Sequence, residues 1–424
     1  MPCCWCDAGS EIFVLPRNCG SERSPFKAGM EIKRIAILTL GVGSGHSRAS
    51  LAIHQALHDG ADNVEARTID MLDLAEPWFL RFYVYPYWLT LRRTPWIRRK
   101  LFEWRQRKWL QKTAPDWLFR RGCRSVLARL QSFRPHLVIV TEACAARLAA
   151  LGRREDWFDA PILAAQTDFC TEPGWVKDEI DVYCVGSEEA KSQLIAWGVS
   201  SNRVLYCGVP VDSAFALSFD RAEVRRAFGL KPKRPVVLVM GGGVGPAPLD
   251  TIIRSLEMCS QPVQVLAVAG RNRGMRERME ALRGQLALDL HVFGCTASVP
   301  ELMGAADLLV TKPGGVTTSE AMAAGVPMIL TSPIPGMEES HLKFLVKRGV
   351  GLEAKEPEEI PALVSSLLDD TKRMEELSSR AREIARPDAA YAVAQVARAL
   401  LEKATFIDLL AAPSPASGET AYLM

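Results

Sequence analysis

No run of about 18 consecutive uncharged apolar residues occurs in the 424-residue chain, so no helix in it is expected to span a bilayer. Charge of one sign is also missing. Against 52 lysines and arginines stand 49 aspartates and glutamates, and the formal charge of +3 is too small to mark a nucleic-acid binder. The eleven cysteines follow no disulfide-framework spacing. No apolar leader is visible either, so reduced thiols and a cytoplasmic location are expected. Cys3, Cys4, Cys6 and Cys19 crowd together, but Cys3 and Cys6 lack the second C-x-x-C that would complete a metal knuckle. A convincing Asp-x-Asp pair and the Lys-Ser/Thr of a P-loop are absent too. What remains is the composition of an ordinary globular protein, 48% apolar and 24% charged, long enough for two or three domains.

Two halves of the chain open in the same way. Residues 34–40, Arg-Ile-Ala-Ile-Leu-Thr-Leu, form a short apolar run of the kind found in buried parallel strands. Gly41-Val42-Gly43-Ser44-Gly45-His46 follows, and then Ala49, Ala52, Ile53, Ala56 and Leu57 recur at helical spacing. The pattern returns as Val236–Met240, Gly241-Gly242-Gly243-Val244-Gly245 and a helix carrying Ile252, Ile253 and Leu256. Further strands are expected at Leu137–Val140, Ile162–Ala165, Val182–Val185, Val263–Val268, Leu290–Phe293, Leu308–Val310 and Met328–Leu330. Strands alternating with helices predict an α/β protein of two Rossmann-like domains whose glycine loops face one cleft. Glycine lets backbone approach a phosphate, and a helix N-terminus supplies N–H donors to it.

At 311–327 the chain reads Thr-Lys-Pro-Gly-Gly-Val-Thr-Thr-Ser-Glu-Ala-Met-Ala-Ala-Gly-Val-Pro, and Ser332-Pro333-Ile334-Pro335-Gly336-Met337-Glu338-Glu339 follows a short strand. Helix-start donors beside carboxylates suit a nucleotide sugar, whose diphosphate needs donors and whose hydroxyls need acceptors. Together with Gly41–Ser50, Thr167-Asp168-Phe169, Ser187-Glu188-Glu189, Gly208-Val209-Pro210-Val211 and Ala269-Gly270-Arg271-Asn272, this segment resembles the monogalactosyldiacylglycerol synthases and the processive diacylglycerol glucosyltransferases. These are related more distantly to the peptidoglycan N-acetylglucosaminyltransferase. The resemblance covers nearly all of residues 33–400.

The resemblance implies a GT-B type fold and an inverting transfer of a hexose from UDP-glucose or UDP-galactose to diacylglycerol or a related lipid. It implies domains at 30–218 and 232–386 and a helix at 387–410 returning to the first, with 1–29 and 411–424 read from composition as disordered. Gly241, Gly242 and Gly243 would approach the diphosphate, with Gly314, Gly315 and Thr317 at the phosphate-facing helix start. Glu320 would take the ribose hydroxyls, Glu338 and Glu339 the donor sugar, and Arg271 and Asn272 would lie near the nucleotide. No metal or other cofactor is expected, since helix dipoles and neutral donors can stabilise departing UDP.

For the base, the resemblance points to His46, in the loop with Gly43 and Gly45, and Asp168 is a second candidate. Where many relatives carry histidines, this chain has Glu142 and Glu172, the latter just before Trp175; a buried glutamate can also act as a base, and Gly43, Gly45, Glu142 and Trp175 are expected on the acceptor side. Residues 78–121 interleave Trp88, Trp96, Trp104 and other aromatics with Arg98, Arg99 and ten further cations against Glu103 and Asp116. Such a segment suits the surface of an anionic membrane, which places the protein peripherally on the inner face. Competing readings are a soluble acceptor, a UDP-sugar epimerase, or a UDP-sugar-binding protein without turnover.

Overall fold

The computed structural model describes residues 31–41, 43–59, 63–86, 94–108, 114–242 and 247–402. The expected disordered ends, Gly243, Trp88 and the side chain of Arg98 lie outside the described residues.

Two six-stranded, wholly parallel sheets are present. The first is built from β1 (Lys33–Thr39), β2 (Val64–Asp70), β3 (Leu137–Val140), β4 (Ile162–Ala165), β5 (Val182–Val185) and β6 (Val204–Tyr206). The second uses β7 (Val236–Met240), β8 (Gln264–Val268), β9 (Asp289–Phe293), β10 (Leu308–Thr311), β11 (Met328–Thr331) and β12 (Gly351–Ala354). The central strands are short apolar runs such as Leu-Val-Ile-Val and Val-Val-Leu-Val-Met, buried on both faces by helices.

Strand order fixes where ligands can bind. The first sheet runs β2-β1-β3-β4-β5-β6, the second β12-β11-β10-β7-β8-β9. In each, the order reverses at one place, between β1 and β3 and between β7 and β10. A crevice opens beyond the carboxyl ends of the strands at such a switch point. The loop after β1 and the turn after β3 therefore meet in the first domain. The loops after β7 and β10 meet in the second.

The domains are tied by the helix Ala389–Leu401, which belongs by sequence to the second half and packs on the first. Val393, Ala394 and Ala397 are buried against Ile53, Ala56 and Leu57 of the helix Ser44–His58. Arg398 donates to the carbonyls of Ala56, Leu57 and Asp59, at 3.1, 3.3 and 2.9 Å, closing the orphan end of that helix. No described helix is long and apolar enough to cross a membrane.

Candidate active site

The first glycine loop is held from below. The Gly41 N–H donates to Asp70 Oδ1 at 3.0 Å, and a Cβ there would stand 2.2 Å from the other carboxylate oxygen. Gly41 thus gives its donor to a protein carboxylate, where an anionic ligand had been expected. Gly45 faces Val316 of the second domain, and among the described residues nothing stands within 4 Å of a Cβ placed on Gly43. His46, in the first turn of the helix, has Nδ1 3.0 Å from the carbonyl of Thr141 and 3.0 Å from Thr167 Oγ1. A carbonyl can only accept, so Nδ1 carries the proton and Nε2 keeps its lone pair. Burial pushes the ring's pKa down, which favours the neutral form.

Three carboxyl groups, Glu142, Asp168 and Glu172, interact with one another on the segments that follow Thr141 and Thr167. Glu142 caps the helix Ala143–Arg154 by accepting from the N–H groups of Cys144 and Ala145, at 2.6 and 3.2 Å. Its burial, and then the neighbouring Glu172 and Asp168, push its pKa up to about 8. Asp168, just beyond β4, is pushed up to about 7 by burial and then by Glu172 and Glu338. Glu172 meets Arg105 at 3.3 Å. Trp175, expected on the acceptor face, is instead a core residue, 2% exposed in the turn Pro173–Trp175. The ring is large and apolar, and its burial against the first-domain core outweighs a surface position.

Across the cleft, Gly242 has φ +71° and so needs glycine, and Lys312 lies beside it. The Lys312 ammonium meets Glu338 Oε1 at 2.9 Å, while Glu338 Oε2 accepts from the Ile334 N–H at 2.7 Å. Glu339 caps the helix Met337–Lys347 by accepting from the Gly336 N–H at 3.1 Å. The helix Gly315–Ala324 begins at the motif glycines with Gly314 as its cap, and Thr317 is half-buried in its first turn. A Cβ on Gly315 would stand 2.1 Å from the carbonyl oxygen of Thr167, so this glycine lets the two domains touch. Glu320 is 1% exposed and pairs with Arg48 at 3.0 Å, leaving Oε2 without a hydrogen-bond partner among the described residues. Asn272 accepts from the Met275 N–H at 3.0 Å and so caps the helix Arg273–Glu280. Arg271 is exposed.

The helix Pro95–Lys108 straps the two sides together. Arg99 Nε donates to Glu339 Oε1 at 2.8 Å, and Arg105 reaches Glu172. Gln106 donates to the Thr171 carbonyl at 3.0 Å, and Phe102 lies against Gly336. The opposite face shows Trp96, Ile97, Leu101 and Trp104 to solvent, with Trp96 60% and Trp104 52% exposed. The aromatic-basic segment therefore divides, since Phe79 is buried and Trp78 and Tyr83 pack on the first-domain core.

Several site residues carried little sequence signal. Lys312 stood in the glycine motif as an ordinary turn residue. His341, Arg48 and Thr141 matter only through partners more than twenty residues away.

Two family models match the chain. Residues 46–211 match Monogalactosyldiacylglycerol (MGDG) synthase, and residues 220–384 match Glycosyl transferases group 1. The chain thus carries a monogalactosyldiacylglycerol synthase domain followed by a glycosyl transferases group 1 domain. Among similar curated proteins, a processive diacylglycerol beta-glucosyltransferase of Bacillus cytotoxicus is 27% identical over 364 residues, 86% of this chain and 92% of that one. A Bacillus subtilis protein of the same description is 27% identical over 359 residues, 83% of this chain and 91% of its own. Among solved structures, Acinetobacter baumannii MurG superposes with a TM-score of 0.57 at 17% identity, covering 86% of this chain and 99% of that one. Neisseria meningitidis UDP-GlcNAc 2-epimerase, bound to UDP-GlcNAc, also gives 0.57, at 13% identity, covering 88% and 100%. The fold alone thus does not separate a glycosyltransferase from an epimerase; the two family matches do.

Proposed function

We propose that the protein transfers a hexose, with inversion, from UDP-glucose or UDP-galactose to diacylglycerol or a related membrane lipid. The relatives' activity and the match at 46–211 support the acceptor class. The observation that carries the mechanism is Asp168. Its carboxyl lies between the two switch points with a pKa raised to about 7, where a general base is both deprotonated and basic enough to work. The acceptor hydroxyl first donates its single O–H to His46 Nε2, which holds it in the cleft, and the hydrogen turns to Asp168 as that carboxylate takes the proton. Glu172 pairs with Arg105 and, with Glu142, sets the potential around Asp168.

On the donor side, Gly241, Gly242 and the helix start at Gly314–Gly315, with Thr317, offer N–H and hydroxyl donors to the diphosphate. Lys312 adds a positive charge beside them. The unpartnered Oε2 of Glu320 accepts from ribose, and Glu338 and Glu339 exchange Lys312 and Arg99 for sugar hydroxyls. Arg271 and the backbone at Asn272 border the nucleotide. No metal takes part in donor binding, so turnover in excess chelator should match turnover without it. The strap helix rests its exposed aromatic face on the membrane, and its cations meet anionic headgroups.

Asp168→Asn tests the mechanism. Loss of a general base should lower kcat by about 10²–10⁴-fold while UDP affinity stays as it was. Unchanged kcat would remove Asp168 from the chemistry.

A further inference from the structure

His341 is a buried titratable group in the cleft that the reaction above leaves unused. It lies on the helix Met337–Lys347 and is 1% exposed. Its Nδ1 stands 3.1 Å from the carbonyl oxygen of Pro313. That oxygen can only accept, so Nδ1 carries the ring's proton and Nε2 carries a lone pair. Burial pushes the ring down to about 4, so it is neutral at physiological pH. Nε2 is buried without a hydrogen-bond partner among the described residues. The atom facing it is Asp168 Oδ1, at 3.4 Å, from the other domain.

An ionised Asp168 has no proton to offer, and two lone pairs then face each other. Once Asp168 is protonated, its O–H can donate to Nε2, and the buried nitrogen is satisfied. We propose that His341 is a positioning residue for the base, an acceptor that receives a hydrogen bond from Asp168 as Asp168 takes the proton of the acceptor hydroxyl. The proposal rests on Asp168 being that base. The O–H bond of the lipid hydroxyl breaks as an O–H bond forms on Asp168. The hydroxyl oxygen bonds to the anomeric carbon, and the bond from that carbon to UDP breaks with its electron pair leaving on the diphosphate. The new Asp168 proton then turns to His341. Because the hydrogen bond forms only as the proton arrives, it stabilises the transition state more than the ground state.

The pair spans the cleft, so the base is completed only while the domains touch as they do at Gly315 and Thr167. The other charged groups facing it are Glu172 with Arg105, Glu338 with Lys312, and Glu142; His46 lies beyond Thr167. On the remaining side Phe169 packs its ring against His341 at 5.4 Å.

The test compares His341→Phe, which keeps the ring packing, with His341→Gln, which keeps an acceptor oxygen. The readout is kcat/KM against pH from about 5 to 9, with UDP-sugar and diacylglycerol vesicles, beside the affinity for UDP. An acceptor facing the neutral carboxyl raises its pKa, so removing it should move the acidic limb down by about one pH unit. At high pH the rate of H341F should fall about tenfold, UDP affinity should hold, and H341Q should return the limb toward its original position. A limb that H341F leaves in place, or that H341Q moves equally, overturns the proposal. If D168N remains active, the base assignment itself has failed; if D168N is dead and the H341F limb is unmoved, only the role of His341 has. Should H341F not fold, infrared spectra of the unmodified protein carry the same test. The carbonyl stretch of protonated Asp168, identified by its loss in D168N, should show a hydrogen-bonded carboxylic acid, and a free one overturns the proposal.

Discussion

Glu142 does two things with one carboxyl group. As a helix cap it accepts from two backbone N–H groups, and as a buried acid it resists ionisation. Its pKa, raised from 4.5 to about 8, has a stability consequence. A carboxyl raised on folding contributes stability in full below its unfolded pKa, and that contribution is lost as pH rises through the folded value. Glu142→Gln keeps a carbonyl for the two N–H donors and never ionises. It should therefore match the unmodified protein near pH 5 and be more stable by on the order of 2 kcal/mol at pH 9. Melting temperatures across that range check this, and a pH-independent difference would contradict it. Asp168, raised from 3.8 to about 7, acts in the same direction. For His46, the fixed tautomer predicts that His46→Ala lowers kcat/KM about a hundredfold or more, with the UDP affinity preserved. At this scale the sequence was informative about identity and poor about environment. His46, Asp168 and Glu320 stood out by motif, but that Glu142 caps a helix, Trp175 fills a core and His341 faces Asp168 depends on contacts across the fold.

The strap helix Pro95–Lys108 shows how one element can serve two surfaces. Its inner side meets Glu172, Glu339 and Gly336, and its outer side is an apolar stripe on an otherwise cationic helix. Replacing Trp96 and Trp104 with serine removes exposed rings that touch no core, so stability should hold within about 0.5 kcal/mol. Binding to anionic vesicles should weaken about tenfold or more, in sedimentation assays. Equal binding by the double variant would move the membrane contact elsewhere. Elements were legible in proportion to their burial. The strands buried on both faces were expected with ends displaced by a single residue at most, whereas β2, β6 and β12 were not anticipated. These lie at or near sheet edges: Val-Glu-Ala-Arg-Thr-Ile-Asp in β2 interrupts its apolar residues with charges, β6 has three residues, and β12 begins with glycine. A half-exposed edge strand does not need the continuous apolar run that marks a central one.

Seen as a whole, the molecule brings two switch points face to face. The base side and the donor side are parts of different domains, so their distance is set by the contact between Gly315 and Thr167. Gly315→Ala puts a methyl group where the Thr167 carbonyl stands. Each domain's own sheet should survive, with circular dichroism unchanged, while kcat/KM falls about a hundredfold from the displaced domains. That two nucleotide-type domains were present was legible from the repeated strand, glycine loop and helix. How closely they meet was not, because a glycine that admits another backbone reads the same in sequence as one that admits a phosphate.

The most direct test of the central claim is UDP release from UDP-glucose and from UDP-galactose, with and without diacylglycerol in anionic vesicles, with lipid products followed in parallel. The account predicts that release with one of these sugars depends on diacylglycerol and is matched by a glycolipid product. Release that ignores the lipid, or UDP bound with no release at all, would contradict it.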